Sequence, residues 1–372
     1  MSLVLTRIQN IRANSNFDKF EYRPSRYGAL NAFMVQSEDP TGILTEELKQ
    51  KARTSIGNVL ETPVINYDAD ITIGSTRTLE ITDSENTSKM VQITFATYAW
   101  GFTIAPAMYM NNEIGIQKDF ETKMMKYIYA FAKKLDEAAL AQLAASKTQI
   151  LKNKLLYDFS SNAINAKWTE RENVFGDLEV MMGANDFYGQ LHIVGDPGVE
   201  SIMRKLQQHG LYNDVNKQNE FGTKIVHLTN NIAAAGGKYA QGYAVNAGSL
   251  GMLTRFERDC LLGTVSGDGH EWGIATLPLL NMPVGTYFYD SVGDYNAIAG
   301  AATADMTRTR KEHYGFAVDV AFLTAYNSSP TTLASPILSF NISSENAVYA
   351  KPVVVVNSED NPVNTKAVGA GG

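Results

Sequence analysis

The sequence predicts an α+β protein in which a projecting, strand-rich segment is followed directly by one long helix. Residues 62–105 are rich in β-branched residues and contain a polar turn cluster, but they hold little that could cover their own strands. Residues 116–145 place apolar residues at helical spacing. A monomeric enzyme has little use for such a projection, whereas a protein that binds copies of itself does. We therefore expect a self-associating protein.

Composition sets the broad class. The chain has 372 residues, of which 44% are hydrophobic and 19% charged, as in a globular protein of two or three domains. The net charge of −7 argues against a general nucleic-acid binder, although such a protein can still enclose nucleic acid behind a neutral or acidic wall. The single cysteine, Cys260, cannot form an intrachain disulfide, and we expect it to be a small buried hydrophobe.

The N-terminus lacks the apolar run of a signal peptide, and no stretch approaches the ~20 apolar residues of a membrane span. We therefore expect the protein to be cytoplasmic where it is made, without a membrane partner.

Residues 1–40 mix basic and aromatic residues with poor periodicity, which indicates an irregular arm. Large aromatics on such a segment need another surface to cover them. The arm either wraps over its own domain or lies across a neighbour. Its aromatic residues are Phe17, Phe20, Tyr22, Tyr27 and Phe33.

A short helix is predicted over 45–56. Thr45 suits the N-cap, acidic residues follow it, and Gly57 suits the stop. The excursion comes next. Its apolar positions are Val64, Ile71, Ile73, Leu79, Ile81, Val91, Ile93 and Phe95, with a turn at 83–88 and a long return strand that ends before Pro106. An isolated hairpin is marginal in water, so its second layer must come from elsewhere.

The long helix carries Met124, Ile128, Phe131, Leu135 and Ala138 as one apolar stripe. About 30 helical residues span about 45 Å, which is enough to cross a whole domain. The stripe is too wide and too short for a coiled coil.

The sequence between residues 146 and 256 predicts helices that alternate with strands. After a polar stretch at 146–170, a second helix is expected over 169–183 with Thr169 as its N-cap. Residues 190–210 predict strand, turn and helix, with the turn at 195–198, and residues 223–256 predict further strands.

Residues 257–326 are dominated by predicted strands. A hairpin is expected around the turn Gly267–Gly269, with 259–266 and 270–280 as its flanks. Phe316, Val318, Val320 and Phe322 alternate as in a long, half-exposed strand. Residues 327–372 hold only short apolar runs, and no repeat of 20–50 residues is visible.

The sequence contains no recognisable catalytic, cofactor or metal-binding motif. The histidines lack zinc spacing, and P-loop, GxGxxG and GxSxG patterns are absent. His192 and His227 lie in apolar strands and are expected to be structural. Asp290 and Asp294 are expected in a solvated loop, and the basic run at 308–313 at a strand entry or in an inter-subunit salt bridge. We expect no cofactor, no metal and no enzymatic activity.

The order of elements resembles the major capsid proteins of tailed bacteriophages, which have the HK97-like fold. The local matches are "LTEELKQKARTSIGNVLETPVI" and "KEHYGFAVDVAFLTAYN". The resemblance implies five segments: an N-terminal arm and short helix at 1–60, an extended hairpin called the E-loop at 61–105, a P-domain at 106–187 and 258–335 with its spine helix at about 116–145, an α/β A-domain at 188–257 and a C-terminal extension at 336–372.

That resemblance also implies a function and partners. The chain would self-assemble as hexamers and pentamers into an icosahedral virion shell around double-stranded DNA, without sequence-specific contacts, in the host bacterial cytoplasm. The implied partners are a separate scaffolding protein, a portal and decoration proteins. No crosslink is predicted, because the one lysine of the excursion, Lys89, has no matched acceptor. The candidate inter-subunit residues are Phe17, Phe20, Tyr22, Ile71, Ile73, Leu79, Ile81, Lys89 and Val91.

Three alternatives stay open from the sequence. An encapsulin-like nanocompartment would have the same fold and a protein cargo. A soluble enzyme with a β-rich lid would need a catalytic constellation that the sequence does not show. A tail or adhesin protein would normally contain more repeats and β-structure.

Overall fold

The computed structural model describes residues 3–13, 27–40, 42–54, 59–65, 88–109, 113–211, 224–233, 235–264, 269–295, 307–325 and 334–345. The chain divides into two compact units, each built from three stretches of sequence. The first unit comprises Met1–Pro24, Leu44–Ala138 and Gly251–Leu323, and the second comprises Ser25–Ile43, Ala139–Leu250 and Thr324–Gly372. Helices and strands are mixed in both units, so the predicted α+β class is confirmed.

Seven α-helices are described: α1 (Leu3–Ala13), α2 (Gly28–Ser37), α3 (Glu46–Thr54), α4 (Glu113–Ser146), α5 (Val174–Gly183), α6 (Pro197–Leu211) and α7 (Arg258–Leu262). The described strands are β1 (Val59–Ile65), β2 (Ser88–Thr94), β3 (Ala96–Ile104), β4 (Asp158–Ser160), β5 (Ala163–Ala166), β6 (Leu191–Gly195), β7 (Ile225–Leu228), β8 (Lys238–Asn246), β9 (Leu250–Arg255), β10 (His270–Thr276), β11 (Pro283–Tyr295), β12 (Thr307–Thr324) and β13 (Ile337–Ser343).

A five-stranded sheet and the first part of α4 form the core of the first unit. Strands β10, β11, β12 and β3 follow one another in antiparallel order, and β9 also pairs with β12. The predicted stripe of α4 is confirmed, because Met124, Ile128 and Leu135 are fully buried. Aromatic rings join the helix to the sheet, with Trp100 4.5 Å from Phe131 and Phe102 5.4 Å from Phe120 between ring centroids.

The second unit contains a six-stranded sheet in the order β4-β5-β13-β8-β6-β7. Its pairs are antiparallel except β5 with β13 and β6 with β7, which are parallel. Helices α5 and α6 contribute to the core on one side of this sheet. Asp196 begins α6 by accepting the Val199 N–H at 3.1 Å, which places the predicted turn at the helix N-terminus.

The prediction of an irregular N-terminal arm is wrong for the residues that the structure describes. Residues 3–13 form helix α1, and Val4, Ile8 and Ile11 are buried along one side of it at helical spacing. Helix α2 buries Leu30 and Phe33. The apolar positions of each helix repeat every three to four residues, so they lie on one side, and each helix packs on its own unit. Polar residues stand between these positions, which is why the helical period is hard to recognise in the sequence.

The prediction of one long return strand in the excursion is also wrong. Strand β2 ends at Thr94, and β3 begins at Ala96 in a different sheet. Strand β2 pairs with β1 from Val59↔Thr94 to Ile65↔Ser88, whereas β3 pairs with β12. The side chain between them, Phe95, is buried, and the guanidinium of Arg255 lies 4.5 Å above its ring. Strands β1 and β2 therefore form a two-stranded sheet of their own, separate from the sheet that α4 covers.

Three smaller differences concern local structure. Residues 258–262, expected as a strand, form helix α7. The polar stretch at 146–170 contains strands β4 and β5. Thr169 is not an N-cap, since it lies in a 3-10 turn and α5 begins only at Val174. The predicted helix over 45–56 is confirmed, and the Thr45 hydroxyl accepts the Leu48 N–H at 3.2 Å.

Residues 337–343 differ most from the expected C-terminal extension. They form strand β13, which lies between β5 and β8 and is buried along almost its whole length. Ile337, Leu338, Phe340 and Ile342 are all fully buried. This part of the chain is therefore integral to the second core. The predicted domain limits otherwise stay a prediction.

Candidate assembly surfaces

The described residues contain no group of three or more His, Cys, Asp or Glu side chains that could hold a metal ion. Within the same part of the chain, no helix is both long and apolar enough to cross a membrane.

His192 and His227 form a buried pair on the neighbouring parallel strands β6 and β7. Their Nδ1 and Nε2 atoms lie 3.1 Å apart, and the rings stack with centroids at 5.3 Å. The amide of Asn31 on α2 lies 3.4 Å from Nδ1 of His227. Burial lowers the pKa of His227 to about 4, with a further contribution from His192, and burial also lowers the pKa of His192. The geometry agrees with the structural role predicted for both residues.

Cys260 lies on α7 directly above Gly285 of β11. A Cβ atom on Gly285 would come within 2.8 Å of its sulfur, so this close approach depends on glycine. Burial raises the pKa of the thiol, and the carboxylate of Glu257 adds to the effect. A thiol with a raised pKa is a poor nucleophile, which agrees with the predicted packing role.

The two faces of the five-stranded sheet differ. Residues of β12 alternate between buried positions, such as Tyr314, Phe316 and Val318, and half-exposed positions, such as His313 and Ala317. Cross-strand pairing places Phe288 opposite Tyr314 and Trp100 opposite Phe316, all on the face packed against α4. The other face, here called the open face, is only partly covered by described residues.

A row of five rings crosses three strands on the open face. The aromatic row consists of His270, Trp272, Tyr287, Tyr289 and His313, all half-exposed. The pairings His270↔Tyr289, Trp272↔Tyr287 and Tyr289↔His313 put them side by side. The Tyr289 and His313 rings are nearly parallel, with their centroids 4.3 Å apart. Hydrogen bonds fix the ends of the row, one between Nδ1 of His270 and the Tyr287 hydroxyl and one between Nε2 of His313 and the Ser291 hydroxyl, both at 2.7 Å.

Beside this row the open face forms a groove of about 530 Å³. Its floor consists of small residues, among them Ala99, Gly315 and Ala317, so the backbone is accessible there. Trp272 and Tyr287 line one part of it, and Cys260 and Glu257 from the α7 segment line another. Helix α7 also exposes Leu261 and Leu262, at 53% and 72%. A flat, small-residue floor with aromatic and aliphatic walls is suited to contact with another polypeptide.

Charged residues around this sheet are mostly paired. Arg310 binds Asp290 at 2.8 Å, and Arg255 binds Asp319 at 2.8 Å. Asp290 and Asp294 both lie in strand β11, so the prediction of a solvated loop is wrong for them. The described part of the basic run at 308–313 lies within β12, in agreement with one of its two expected placements, a strand position.

A second feature is the base of the β1–β2 pair, the end that contains Val59 and Thr94. Leu60 and Ile93 are cross-strand partners and are each 4% exposed, so the base is packed. Lys51 of α3 donates to the carbonyl of Glu61 at 2.7 Å. Lys89 and Val91 lie in the first part of β2, residues 88–91, of which only the backbone is described. The other predicted contact residues lie outside the described residues: Phe17, Phe20, Tyr22, Ile71, Ile73, Leu79 and Ile81.

The second unit presents its own exposed apolar side chains. Leu156 is 87% exposed, Tyr188 78% and Val180 57%. The preceding residue, Leu155, has a φ of 51°, a backbone conformation that costs energy for a non-glycine residue.

Neither these exposed residues nor the aromatic row were predicted from the sequence. For the row, a signal was present in the i, i+2 spacing of His270 with Trp272 and of Tyr287 with Tyr289.

Solved structures of phage capsids are similar to this chain. The capsid of the cyanophage P-SCSP1u is 13% identical and matches 78% of this chain and 84% of its own, with a TM-score of 0.41. The capsid of Myoviridae phage XM1 is 14% identical over 83% and 97%, with a TM-score of 0.41. A structure from Mycobacterium phage Cain is 10% identical over 89% and 94%, with a TM-score of 0.47.

No protein-family model matches the chain, and no curated protein is significantly similar to it in sequence. At TM-scores below 0.5, a functional conclusion has to come from the residues of this chain.

Proposed function

We propose that the chain is the major capsid protein of a tailed bacteriophage and that its function is to form a shell from copies of itself. The observation that carries the proposal is the open face of the five-stranded sheet. It presents the aromatic row, a groove with a small-residue floor and the exposed leucines of α7. Exposed surfaces of this composition mark sites of protein–protein contact.

The finer parts of the proposal rest on the sequence resemblance. The chain assembles as hexamers and pentamers into an icosahedral virion shell around double-stranded DNA, inside the host bacterial cytoplasm. Residues 61–105 are its E-loop, 106–187 with 258–335 its P-domain and 188–257 its A-domain, and 1–60 and 336–372 are its terminal segments. A separate scaffolding protein, a portal and decoration proteins are its partners.

The candidate contacts from the sequence belong to the same proposal. The hairpin base is anchored through Leu60 and Ile93, so residues beyond it can reach a neighbouring copy. Deletion of residues 70–90 is therefore expected to leave a folded subunit that forms no stable shells. Shells of normal appearance from this deletion variant would contradict a role of this segment in contacts between copies.

The direct experiment is to express the chain, alone and with co-expressed partner proteins, and to image the product by negative stain. Rings or closed shells are expected. Closed shells that take up a protein cargo instead of DNA would favour a nanocompartment, and a monodisperse monomer with catalytic turnover would contradict the proposal.

A further inference from the structure

The long helix α4 carries positive charge on the side that faces away from its sheet. The exposed residues of its first-unit part are Ile114, Lys118, Thr122, Lys126, Ala130, Lys133 and Lys134. Every charged residue in this set is a lysine. The chain as a whole has a net charge of −7, so this ridge departs from the average of the molecule.

The described carboxylates leave part of this charge unpaired. Lys133 and Lys134 share one partner, Glu137, at 3.9 and 3.1 Å. Asp119 is occupied by Lys123 at 2.8 Å. Among the described residues, no carboxylate lies within ion-pair distance of Lys118 or Lys126.

The lysines are spread along the axis of the helix. At 1.5 Å and about 100° per residue, Lys118, Lys126 and Lys133 lie within about 80° of one another around the helix and cover about 22 Å of its length. Lys134 lies on one flank of this row, on the side of Tyr98 of β3. The buried stripe of Phe120, Met124 and Ile128 fixes the opposite side of the helix against the sheet, so the lysines cannot turn inwards. A row of cations about 22 Å long on a fixed helix fits a regular polyanion, and B-DNA carries one negative charge per about 1.7 Å of its axis.

We propose that this lysine ridge, formed by Lys118, Lys126, Lys133 and Lys134, contacts the phosphate backbone of double-stranded DNA. The inference rests on the proposed function and deepens it, because it identifies the face of the subunit that lies towards the enclosed genome. Lysine contacts to phosphates neutralise charge without reading bases, so the contact is independent of sequence.

The test compares two variants of the full chain that lose the same charge. The ridge variant carries Lys118→Gln, Lys126→Gln, Lys133→Gln and Lys134→Gln. The control variant carries Lys152→Gln, Lys154→Gln, Lys167→Gln and Lys205→Gln, which are exposed lysines of the second unit. Glutamine and lysine have similar helix propensities, so α4 is retained, which circular dichroism verifies.

The readout is binding of a fluorescent duplex of about 30 base pairs at salt concentrations from about 50 to 200 mM. Each phosphate contact contributes about −0.9 to the slope of log Kobs against log salt, so four contacts contribute between −3 and −4. The ridge variant is expected to lose most of this slope and at least tenfold in affinity at the lowest salt, while the control variant keeps both.

Three outcomes would overturn the inference: an unchanged slope in the ridge variant, equal losses in both variants, or no duplex binding by the unsubstituted chain. The proposed function fails on a different observation. Negative-stain images of the unsubstituted chain that show no rings or shells would contradict it, and the slopes are measured independently of assembly.

Discussion

The two large sheets of this protein are buried in different ways. In the six-stranded sheet of the second unit, all five residues of β6 are buried, and β13 is buried at five of its seven positions. In the five-stranded sheet of the first unit, β12 alternates between buried and half-exposed residues. Strands β6 and β13 of the six-stranded sheet are therefore covered on both sides, whereas the five-stranded sheet keeps an open face.

This difference separates residues that stabilise the fold of the subunit from residues that we propose contact a second copy. Residues in the buried strands β6 and β13 act on the stability of the folded subunit. The open face, with its aromatic row, contributes less to that stability and is available to a second copy. Substitutions in the two sheets should therefore have separable effects, on unfolding in one case and on assembly in the other.

The largest expected effect is in the covered sheet. Phe340 of β13 is fully buried, and its ring packs edge-to-face on Phe175 at 5.7 Å. Phe340→Ala should lower the free energy of unfolding by about 3–5 kcal/mol, because it leaves a cavity in a close-packed core. Denaturant titration measures this loss. Val180→Ala, at an exposed position of the same unit, is the control and should stay within about 0.5 kcal/mol of the unsubstituted protein.

A buried ion pair provides the corresponding test in the first unit. Arg7 of α1 lies 3.4 Å from Glu312 and donates to the Tyr314 hydroxyl at 2.9 Å, and Tyr314 donates to Glu312 at 2.6 Å. Arg7→Ala should cost about 2 kcal/mol in unfolding free energy, since the buried Glu312 carboxylate then keeps, among the described residues, only the Tyr314 hydroxyl and Arg310, which lies 3.5 Å away.

The double variant Arg7→Met with Glu312→Leu removes both charges and should recover at least half of that loss. Equal losses in the single and double variants would show that lost packing, rather than the loss of the Arg7 charge beside Glu312, sets the cost.

The covered sheet also predicts a dependence on pH. The pKa of His227 is about 4 in the folded protein and 6.5 in the unfolded chain, so the unfolded chain binds more protons between these values. Stability is therefore complete above pH 6.5 and is lost as the pH falls towards 4, by on the order of 2 kcal/mol for this coupled pair. His227→Gln should flatten this dependence in thermal melts between pH 4 and 7. A slope that survives the substitution would assign the acid sensitivity to other groups.

The smallest effect on subunit stability is expected on the open face. Trp272→Ala removes a half-exposed ring that contacts Tyr287 at 5.4 Å and should cost about 1 kcal/mol in unfolding free energy. A loss comparable to that of Phe340→Ala would show that the open face belongs to the core and would remove the contrast between the two sheets.

The long-period features could be predicted from the sequence. The stripe of Met124, Ile128 and Leu135 predicts α4, and the alternation of Phe316, Val318 and Val320 predicts β12. Both patterns persist over many residues, so one period dominates. Helix α7 could not be predicted, because a five-residue segment with an apolar run is too short to distinguish helix from strand.

Features that depend on pairing between strands far apart in the sequence also could not be predicted from it. The aromatic row is assembled from β10, β11 and β12, and only the register shows that five rings adjoin. The break at Phe95 was missed because strand-forming residues continue through it while the pairing partner changes from β1 to β12. Strand β13 was missed because its neighbours β5 and β8 lie far from it in sequence.

The central claim, that a second copy covers the open face, is tested most directly by placing charges there. Trp272→Glu with Tyr289→Glu should leave a folded subunit, since both side chains reach solvent, but should abolish rings and shells in negative-stain images. Asn153→Glu with Ser160→Glu, at exposed positions of the second unit, adds the same charge and should assemble normally. Shells of normal number and size from the Trp272→Glu and Tyr289→Glu variant would contradict the claim.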